Sequence, residues 1–155
     1  MIKDVENKGI NKKQEYGNES IVTLKGADRV RKRPAVIFGS DGIEGCQHSV
    51  FEILSNSIDE AREGYGNKII VTRYEDKSVE IEDFGRGIPV DYNKNEERFN
   101  WELVFCELYA GGKFNNNDAE SYEFSLGLNG LGLCSTQYSS EYMDVEIRRD
   151  GERYT

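Results

Sequence analysis

The sequence is poor in several residues from which protein sites are commonly built: its 155 residues contain one histidine, His48, two prolines and three cysteines. The cysteines, Cys46, Cys106 and Cys134, are odd in number and lack metal-ligand spacing, which argues against a disulfide framework and against a zinc site. No apolar run approaches the length of a membrane span, and the first twenty residues lack the apolar core of a signal peptide. We therefore expect a protein of the reducing cytoplasm.

Positive charge is also in deficit, with 20 Lys and Arg against 29 Asp and Glu and a formal net charge of −9. We therefore expect any contact with nucleic acid to lie outside this chain. One histidine excludes an HExxH zinc site, and Lys113 is followed by Phe114, which excludes a P-loop. Residues 83–85 spell Asp-Phe-Gly without the other kinase motifs, and residues 127–132 are spaced GxxGxG, which disfavours a dinucleotide fold.

Hydrophobic periodicity predicts a chain of mixed helices and strands. Helices are predicted at 27–34, 44–64 and 100–110 and from Gly132, and strands at 67–75, 78–84, 142–149 and 152–155. The first strand pair is predicted to turn at Asp76 and Lys77. The stretch from Gly111 to Gly132, rich in glycine and asparagine, predicts a long mobile loop. Because the chain ends inside a strand, we expect it to have been cut from something longer.

The helix around residue 55 carries an unusually polar stripe. Its spacing predicts that Phe51, Leu54 and Ile58 are buried, while Glu52 and Asn56 lie one turn apart on the opposite face. An amide oxygen suits magnesium, and a carboxylate there can orient a water for attack. The alternative is a solvated helix face, which is the commoner explanation on composition alone.

Three further stretches have the composition of a phosphate or base site. Asp83 ends a predicted strand, and Gly85 and Gly87 after it allow a flat ligand to approach the backbone; an ordinary glycine turn is the alternative. Lys113 offers a point charge to phosphate, or is a solvated loop lysine. Residues 126–132, LGLNGLG, lead into a predicted helix whose free N–H groups suit phosphate, or form a loop without function. Together with the polar stripe they predict a magnesium nucleotide site.

In this order, Glu-x3-Asn, D-x-G-x-G-I-P, GGKF and GxxGxG resemble the nucleotide-binding (GHKL or Bergerat) fold. Type II DNA topoisomerases, MutL repair ATPases, ninety-kilodalton heat-shock chaperones and sensor histidine kinases share it. Residues 24–40, LKGADRVRKRPAVIFGS, and AGGKF narrow the resemblance to the B subunits of DNA gyrase and topoisomerase IV. The resemblance runs nearly continuously from Tyr16 to the last residue. It implies an α+β, two-layer α/β sandwich, truncated at its C-terminal end, with residues 1–22 as a flexible dimerisation arm and 23–155 as the ATP-binding domain.

The resemblance implies a catalytic end of the site. Glu52 would be the general base, His48 would steady it, and Asn56 would hold Mg²⁺. Lys113 would contact the phosphates of ATP, and Tyr122 would lie near the ribose and base. The ATP lid would close through the backbone of Gly127, Leu128, Asn129, Gly130, Leu131 and Gly132.

The resemblance also implies an adenine end and a dimer contact. Asp83 would accept a hydrogen bond from the adenine amino group, and Arg86 would pair with Glu60 beside the base. The base pocket would include Gly87, Ile88 and Pro89. On ATP binding, Tyr16 and Ile21 of the arm would cross to a second subunit.

Four residues depart from the family pattern. Asn129 stands where bacterial gyrases usually have histidine, and Ser55 replaces an acid beside the magnesium asparagine. Phe84 replaces an acid after the adenine aspartate, and Glu123 stands where a basic lid residue is common. We expect the energetics of magnesium binding and of the lid to differ accordingly.

The function implied is ATP binding and hydrolysis that drives dimer clamping and DNA strand passage in a bacterial type II topoisomerase. The partners implied are a second copy of the same subunit, and the topoisomerase A subunit and double-stranded DNA through regions outside this chain. The family also uses a lysine from a following transducer domain, so we expect little turnover from these 155 residues alone. The alternatives are a catalytically weak paralogue that uses nucleotide only to gate dimerisation, and a MutL-type or chaperone ATPase.

Overall fold

The structure of the chain is a computed structural model that describes residues 17–110 and 130–155. The helices are α1 (Ala27–Arg31), α2 (Pro34–Phe38), α3 (Ile43–Arg62), α4 (Asn100–Cys106) and α5 (Gly132–Ser139), preceded by a 3₁₀ turn at Asn18–Ser20. The strands are β1 (Ile69–Arg73), β2 (Val79–Asp83), β3 (Tyr92–Asn93), β4 (Arg98–Phe99), β5 (Ile147–Arg149) and β6 (Glu152–Tyr154). This is the predicted α+β class. Within the described residues, no helix is long and apolar enough to cross a membrane.

The basic N-terminal segment forms two short helices where one was predicted. Pro34 does not only stop α1; it is the first residue of α2. Proline fits that position because its missing N–H has no partner in a first turn, and it keeps the preceding residue, Arg33, out of helical geometry. Gly39, with φ +74°, ends α2. Val30 and Phe38 are buried and anchor the pair.

Helix α3 lies at the centre of the described fold and contacts α2, α5 and β2. Its predicted extent is confirmed, but its predicted buried face is not the most buried one: Leu54 and Ile58 are half-buried and Phe51 is exposed. Ser55, Ser57 and Asp59 are 2%, 4% and 4% exposed, whereas Phe51 is 52% exposed. β2 reaches this helix through the bond from Ser57 to Asp83, and α5 reaches it through the bond from Thr136 to the carbonyl of Ser49. Within the described residues, Phe51 is covered only in part.

The two predicted hairpins are confirmed, although the strand predicted at 142–149 extends only over Ile147–Arg149. β1 and β2 pair antiparallel with Val71 opposite Ile81, and Lys77, with φ +75°, lies in the turn between them. β5 and β6 pair around Asp150 and Gly151, both at positive φ. The hairpin of β3 and β4 was not predicted, because two residues per strand are too few to show alternation. Helix α4 ends at Cys106, earlier than predicted.

Candidate functional site

The first cluster centres on Glu52, in the middle of α3. His48, one turn earlier, places Nε2 3.0 Å from Oε1 of Glu52, and the edge of the Phe38 ring lies against the imidazole with centroids 6.1 Å apart. The bond requires the tautomer with the proton on Nε2. The Glu52 side chain remains 30% exposed. The acid is therefore oriented by a neighbour and still accessible to water.

The other oxygen of Glu52 lies against the start of α5. A Cβ added to Gly132, the first residue of that helix, would overlap Oε2 of Glu52. Just before it, Gly130 adopts φ +59° and its carbonyl accepts the N–H of Tyr109 at 3.0 Å, which ties the start of α5 to the end of the preceding segment. The structure thus places the N-terminus of α5 beside the acid.

Asn56 lies one turn beyond Glu52 on the same face. Its Nδ2 donates to the backbone oxygen of Glu52 at 3.0 Å, so Oδ1, the hard oxygen that Mg²⁺ prefers, is the atom outside that bond. In residues 17–110 and 130–155, no group of three or more His, Cys, Asp and Glu side chains is placed to hold a metal ion. Oδ1 of Asn56 is therefore available as one oxygen ligand for a cation.

The second cluster centres on Asp83, the last residue of β2. The hydroxyl of Ser57 donates to Oδ2 at 2.7 Å, and the N–H of Gly85 donates to Oδ1 at 3.0 Å. Ser57 is buried in α3, whereas Asp83 is exposed. Each carboxylate oxygen has a second lone pair, so an immobilised acid faces solvent with acceptor capacity left over.

The third cluster centres on Arg86, three residues after Asp83. Its Nε and one terminal nitrogen donate to the two oxygens of Glu60 at 2.5 and 3.0 Å, and its backbone N–H donates to Glu60 as well. Glu63 accepts a further bond at 2.5 Å, and the guanidinium stacks 3.6 Å from the centroid of the Tyr65 ring. Hydrogen bonding to Glu60 raises the pKa of Arg86, against partial desolvation, which lowers it. The predicted pair of Arg86 with Glu60 thus exists, and Arg86 also contacts Glu63 and Tyr65.

The turn after Arg86 packs on the C-terminal hairpin. Gly87 has φ +73°, and its carbonyl accepts a bond of 2.7 Å from the guanidinium of Arg149. A Cβ there would come within 2.9 Å of the carbonyl oxygen of Arg148. Ile88 is half-buried and Pro89 is exposed. The three predicted pocket residues, Gly87, Ile88 and Pro89, therefore follow Asp83 in a turn whose backbone is held at Gly87 by Arg149 of β5.

Helix α3 contributes residues to all three clusters: His48 and Glu52 to the first, Ser57 to the second and Glu60 to the third. Glu52 and Ser57 are five positions apart, a rise of about 7.5 Å at 1.5 Å per residue. A separate cavity of about 1000 Å³, between α2, α3 and the β1–β2 turn, contains none of the predicted site residues. The candidate site is therefore an open face along α3 and not that cavity.

Two of the residues that depart from the family pattern are described. Ser55 is buried, and its hydroxyl donates to the carbonyl of Phe51 at 2.7 Å, so it acts inside the helix. Phe84 is 51% exposed, with Lys68 Nζ 5.7 Å from its ring centroid. Nothing in these contacts joins either residue to a cation.

Several predicted residues lie outside the described part of the chain. They are Tyr16, Lys113, Tyr122, Glu123, Gly127, Leu128 and Asn129. Ile21 is described and is 76% exposed in the segment before α1. Leu131 is described and precedes α5 as its N-cap residue. The sequence did not single out Ser57, Glu63 and Tyr65, because nothing local to a serine, an acid or a tyrosine indicates a partner more than twenty residues away.

Comparison with known proteins shows which family and which relatives this chain resembles. Residues 42–155 match the family described as histidine kinase-, DNA gyrase B-, and HSP90-like ATPase. The chain is 48% identical over 141 residues to the DNA gyrase B subunit of Thermotoga maritima, covering 91% of the chain and 22% of that protein. It is 43% identical over 145 residues to the DNA topoisomerase 4 B subunit of Staphylococcus aureus, covering 94% and 21%. The chain thus spans about a fifth of the length of these relatives.

A solved structure agrees with these relatives. The topoisomerase IV ATP binding domain of Francisella tularensis, in complex with a small molecule inhibitor, matches with a TM-score of 0.64 and 33% identity, over 85% of this chain and 57% of that one. The resemblance to the B subunits of gyrase and topoisomerase IV, and the fold class it implied, are confirmed. The relatives favour this resemblance over the MutL-type and chaperone alternatives.

Proposed function

The chain belongs to the family of histidine kinase-, DNA gyrase B- and HSP90-like ATPases, and we propose that it binds and hydrolyses ATP within the B subunit of a type II DNA topoisomerase. The observation that supports this most directly is the arrangement along α3. Glu52, steadied by His48, lies beside the start of α5, and on the same helix Ser57 fixes the carboxylate of Asp83. A carboxylate that can activate water thus lies on α3, and a carboxylate that can accept a hydrogen bond from adenine is held by a side chain of the same helix.

The adenine end of the proposed site works by hydrogen bonding. Asp83 accepts a bond from the exocyclic amino group of adenine with the acceptor capacity left by Ser57 and Gly85. Arg86, held by Glu60 and stacked on Tyr65, lies beside the base, and Gly87, Ile88 and Pro89 line the pocket. These contacts orient the nucleotide along α3.

The phosphate end carries the chemistry. Glu52 takes the proton from a water whose oxygen attacks the γ-phosphorus, and the bond to the leaving oxygen of ADP breaks. His48 donates to the other side of the carboxylate and keeps it aimed. Asn56 is the proposed protein ligand for Mg²⁺, which neutralises phosphate charge when bound with ATP. The lid residues Lys113 and Gly127 to Gly132, with Tyr122, are proposed to close over the phosphates.

The activity of the whole protein belongs to the same proposal. The chain consists of an arm, residues 1–22, and an ATP-binding domain, residues 23–155. When ATP binds to the domain, the arm clamps two copies of the protein together, with Tyr16 and Ile21 crossing to the second copy. The topoisomerase A subunit and double-stranded DNA bind regions outside this chain, and the protein works in the cytoplasm. The proposal rests on the relatives, which are B subunits of both gyrase and topoisomerase IV.

Glu52→Gln in the intact protein tests the proposed reaction. The variant should release phosphate at least about 100-fold more slowly, the lower range for losing a general base, while ATP affinity changes little. Glu44→Gln, an exposed glutamate in the first turn of α3, is the matched control and should keep full turnover. Undiminished turnover in Glu52→Gln would remove Glu52 as the base. A wild type that dimerises on ATP without releasing phosphate would instead support the catalytically weak paralogue.

A further inference from the structure

Gly132 is a glycine whose backbone does not require one. It is the first residue of α5, and its φ lies outside the left-handed region, unlike Gly130 just before it. Alanine is the better helix former where the backbone has ordinary helical geometry. Conformational freedom therefore does not explain glycine at this position, and the explanation has to be space.

The space is taken by Glu52. A Cβ on Gly132 would lie 3.1 Å from Cβ of Glu52 and 3.3 Å from its carboxyl carbon, and it would overlap Oε2. The carboxylate can rotate away from such a contact, but Cβ of Glu52 is fixed to the α3 backbone. A methyl group at position 132 would therefore displace the carboxylate from its present rotamer.

The contact between the Glu52 carboxylate and the start of α5 is also electrostatically favourable. The first turn of a helix exposes N–H groups and the positive end of its dipole, and both stabilise a carboxylate placed there. Oε1 of Glu52 is bonded to His48 at 3.0 Å, while Oε2 faces Gly132. Each oxygen thus has its own neighbour, one on α3 and one on α5.

We propose that Gly132 is a positioning residue for Glu52: its missing side chain lets the carboxylate lie against α5 in the orientation needed to activate water. This rests on the proposed function, because it assigns Glu52 the role of base. It is distinct from phosphate binding by the backbone of this segment, because alanine at position 132 would keep its N–H. The two roles therefore separate in one variant.

Gly132→Ala in the intact protein, compared with wild type, is the test. We expect kcat for ATP hydrolysis to fall by about 10- to 100-fold, as for a displacement of about 1 Å in a catalytic group, while affinity for a non-hydrolysable ATP analogue stays within about threefold. Gly42→Ala is the matched control, because it lies outside the arm and the candidate site, a Cβ there would meet only the side-chain oxygens of Glu44 and Ser40 at 3.4 and 3.5 Å, and its φ of −104° suits alanine. Denaturant unfolding of each variant reports the folded fraction, so that kcat is expressed per folded molecule.

A double-mutant cycle distinguishes positioning from simple helix packing. Glu52→Asp withdraws the carboxylate by one methylene, so adding Gly132→Ala should then cost less than about twofold in kcat. The same loss in both backgrounds, or an unchanged kcat in Gly132→Ala, would overturn the inference while wild-type hydrolysis keeps the proposed function. A wild type that binds ATP without releasing phosphate would overturn both.

Discussion

The Asp83→Asn variant tests the adenine end of the site with a change of one atom. Asp83 accepts from Ser57 at 2.7 Å and from Gly85 at 3.0 Å, and its remaining lone pairs are proposed to face the adenine amino group. Asparagine has a single oxygen for these three donors. If that oxygen keeps the N–H of Gly85, the amide NH₂ must face Ser57, whose hydroxyl can turn to accept, and the adenine donor. Two donors then face each other at the base.

The size of the effect follows from the bond that is lost. A hydrogen bond to a charged acceptor contributes about 1.5–3 kcal/mol, and each 1.4 kcal/mol is a factor of ten in affinity. ATP should therefore bind about 10- to 100-fold more weakly. Guanine carries a carbonyl acceptor where adenine carries its amino group, so the same amide NH₂ should leave GTP affinity unchanged or improve it. The ATP to GTP preference should fall at least about tenfold.

Calorimetric titration of the chain with ATP and with GTP measures this ratio. Asp76→Asn is the matched control, because Asp76 also accepts the N–H two residues on and a serine hydroxyl, but lies in the β1–β2 turn. It should leave both affinities as in wild type. An Asp83→Asn variant that stays folded and keeps the wild-type ATP to GTP ratio would refute the assignment of Asp83 to the base.

Three further outcomes follow from described contacts. Ser55→Ala should lower the free energy of unfolding by about 0.5–1.5 kcal/mol in a denaturant titration, because it removes one helix-internal hydrogen bond, and should leave ATP affinity unchanged; weakened ATP binding would contradict this. Gly87→Ala should lower it by at least about 1–2 kcal/mol, since alanine is strained at φ +73° and would press on the backbone of β5; wild-type stability would show that the turn is not held as described. Burial, more than the nearby Cys106 and Glu107, raises the pKa of the Cys134 thiol to about 11 from 9.0, so the folded chain holds this proton more tightly than the unfolded one. Stability should therefore fall more steeply from about pH 9 to 11 in wild type than in Cys134→Ala, in which the Cys106 thiol, whose pKa burial also raises, still titrates; equal pH profiles would contradict it.

Local patterns in the sequence predicted the parts of the fold that depend on local physics. The alternation in β1 and β2, the periodicity of α3 and the turn at Asp76 and Lys77 each lie within one window of the chain, and the structure confirms them. Phe51 shows the limit of the method. Periodicity tells which residues share a helix face, but not which face other elements will cover, and the buried positions here are Ser55, Ser57 and Asp59.

In the candidate site, too, contacts within one helix were predictable from the sequence, whereas contacts between distant positions were not. Glu52 and His48 are one turn apart on a helix, so their contact of 3.0 Å was predictable from spacing once the residues had been singled out. The bond from Ser57 to Asp83 joins positions 26 residues apart, and only the path of the chain brings them together. The contact of Gly132 with Glu52 is more remote still, because its signal is a missing atom, and glycine in a glycine-rich stretch is usually explained by its backbone.

Helix α3 is the element that makes one site of these clusters. Ser57, which holds the proposed adenine-binding carboxylate of Asp83, and Glu52, the proposed general base, are about 7.5 Å apart along a helix that continues unbroken from Ile43 to Arg62. A nucleotide anchored at Asp83 therefore meets Glu52 at a fixed offset, and orientation of this kind is a large part of catalysis. If α3 sets the offset, Asp83→Asn should lower kcat for ATP even at saturation, because a displaced base displaces the phosphates, whereas Gly132→Ala should lower kcat without weakening binding. A saturated Asp83→Asn variant with wild-type kcat would mean that the two ends act independently and that α3 is only their common support.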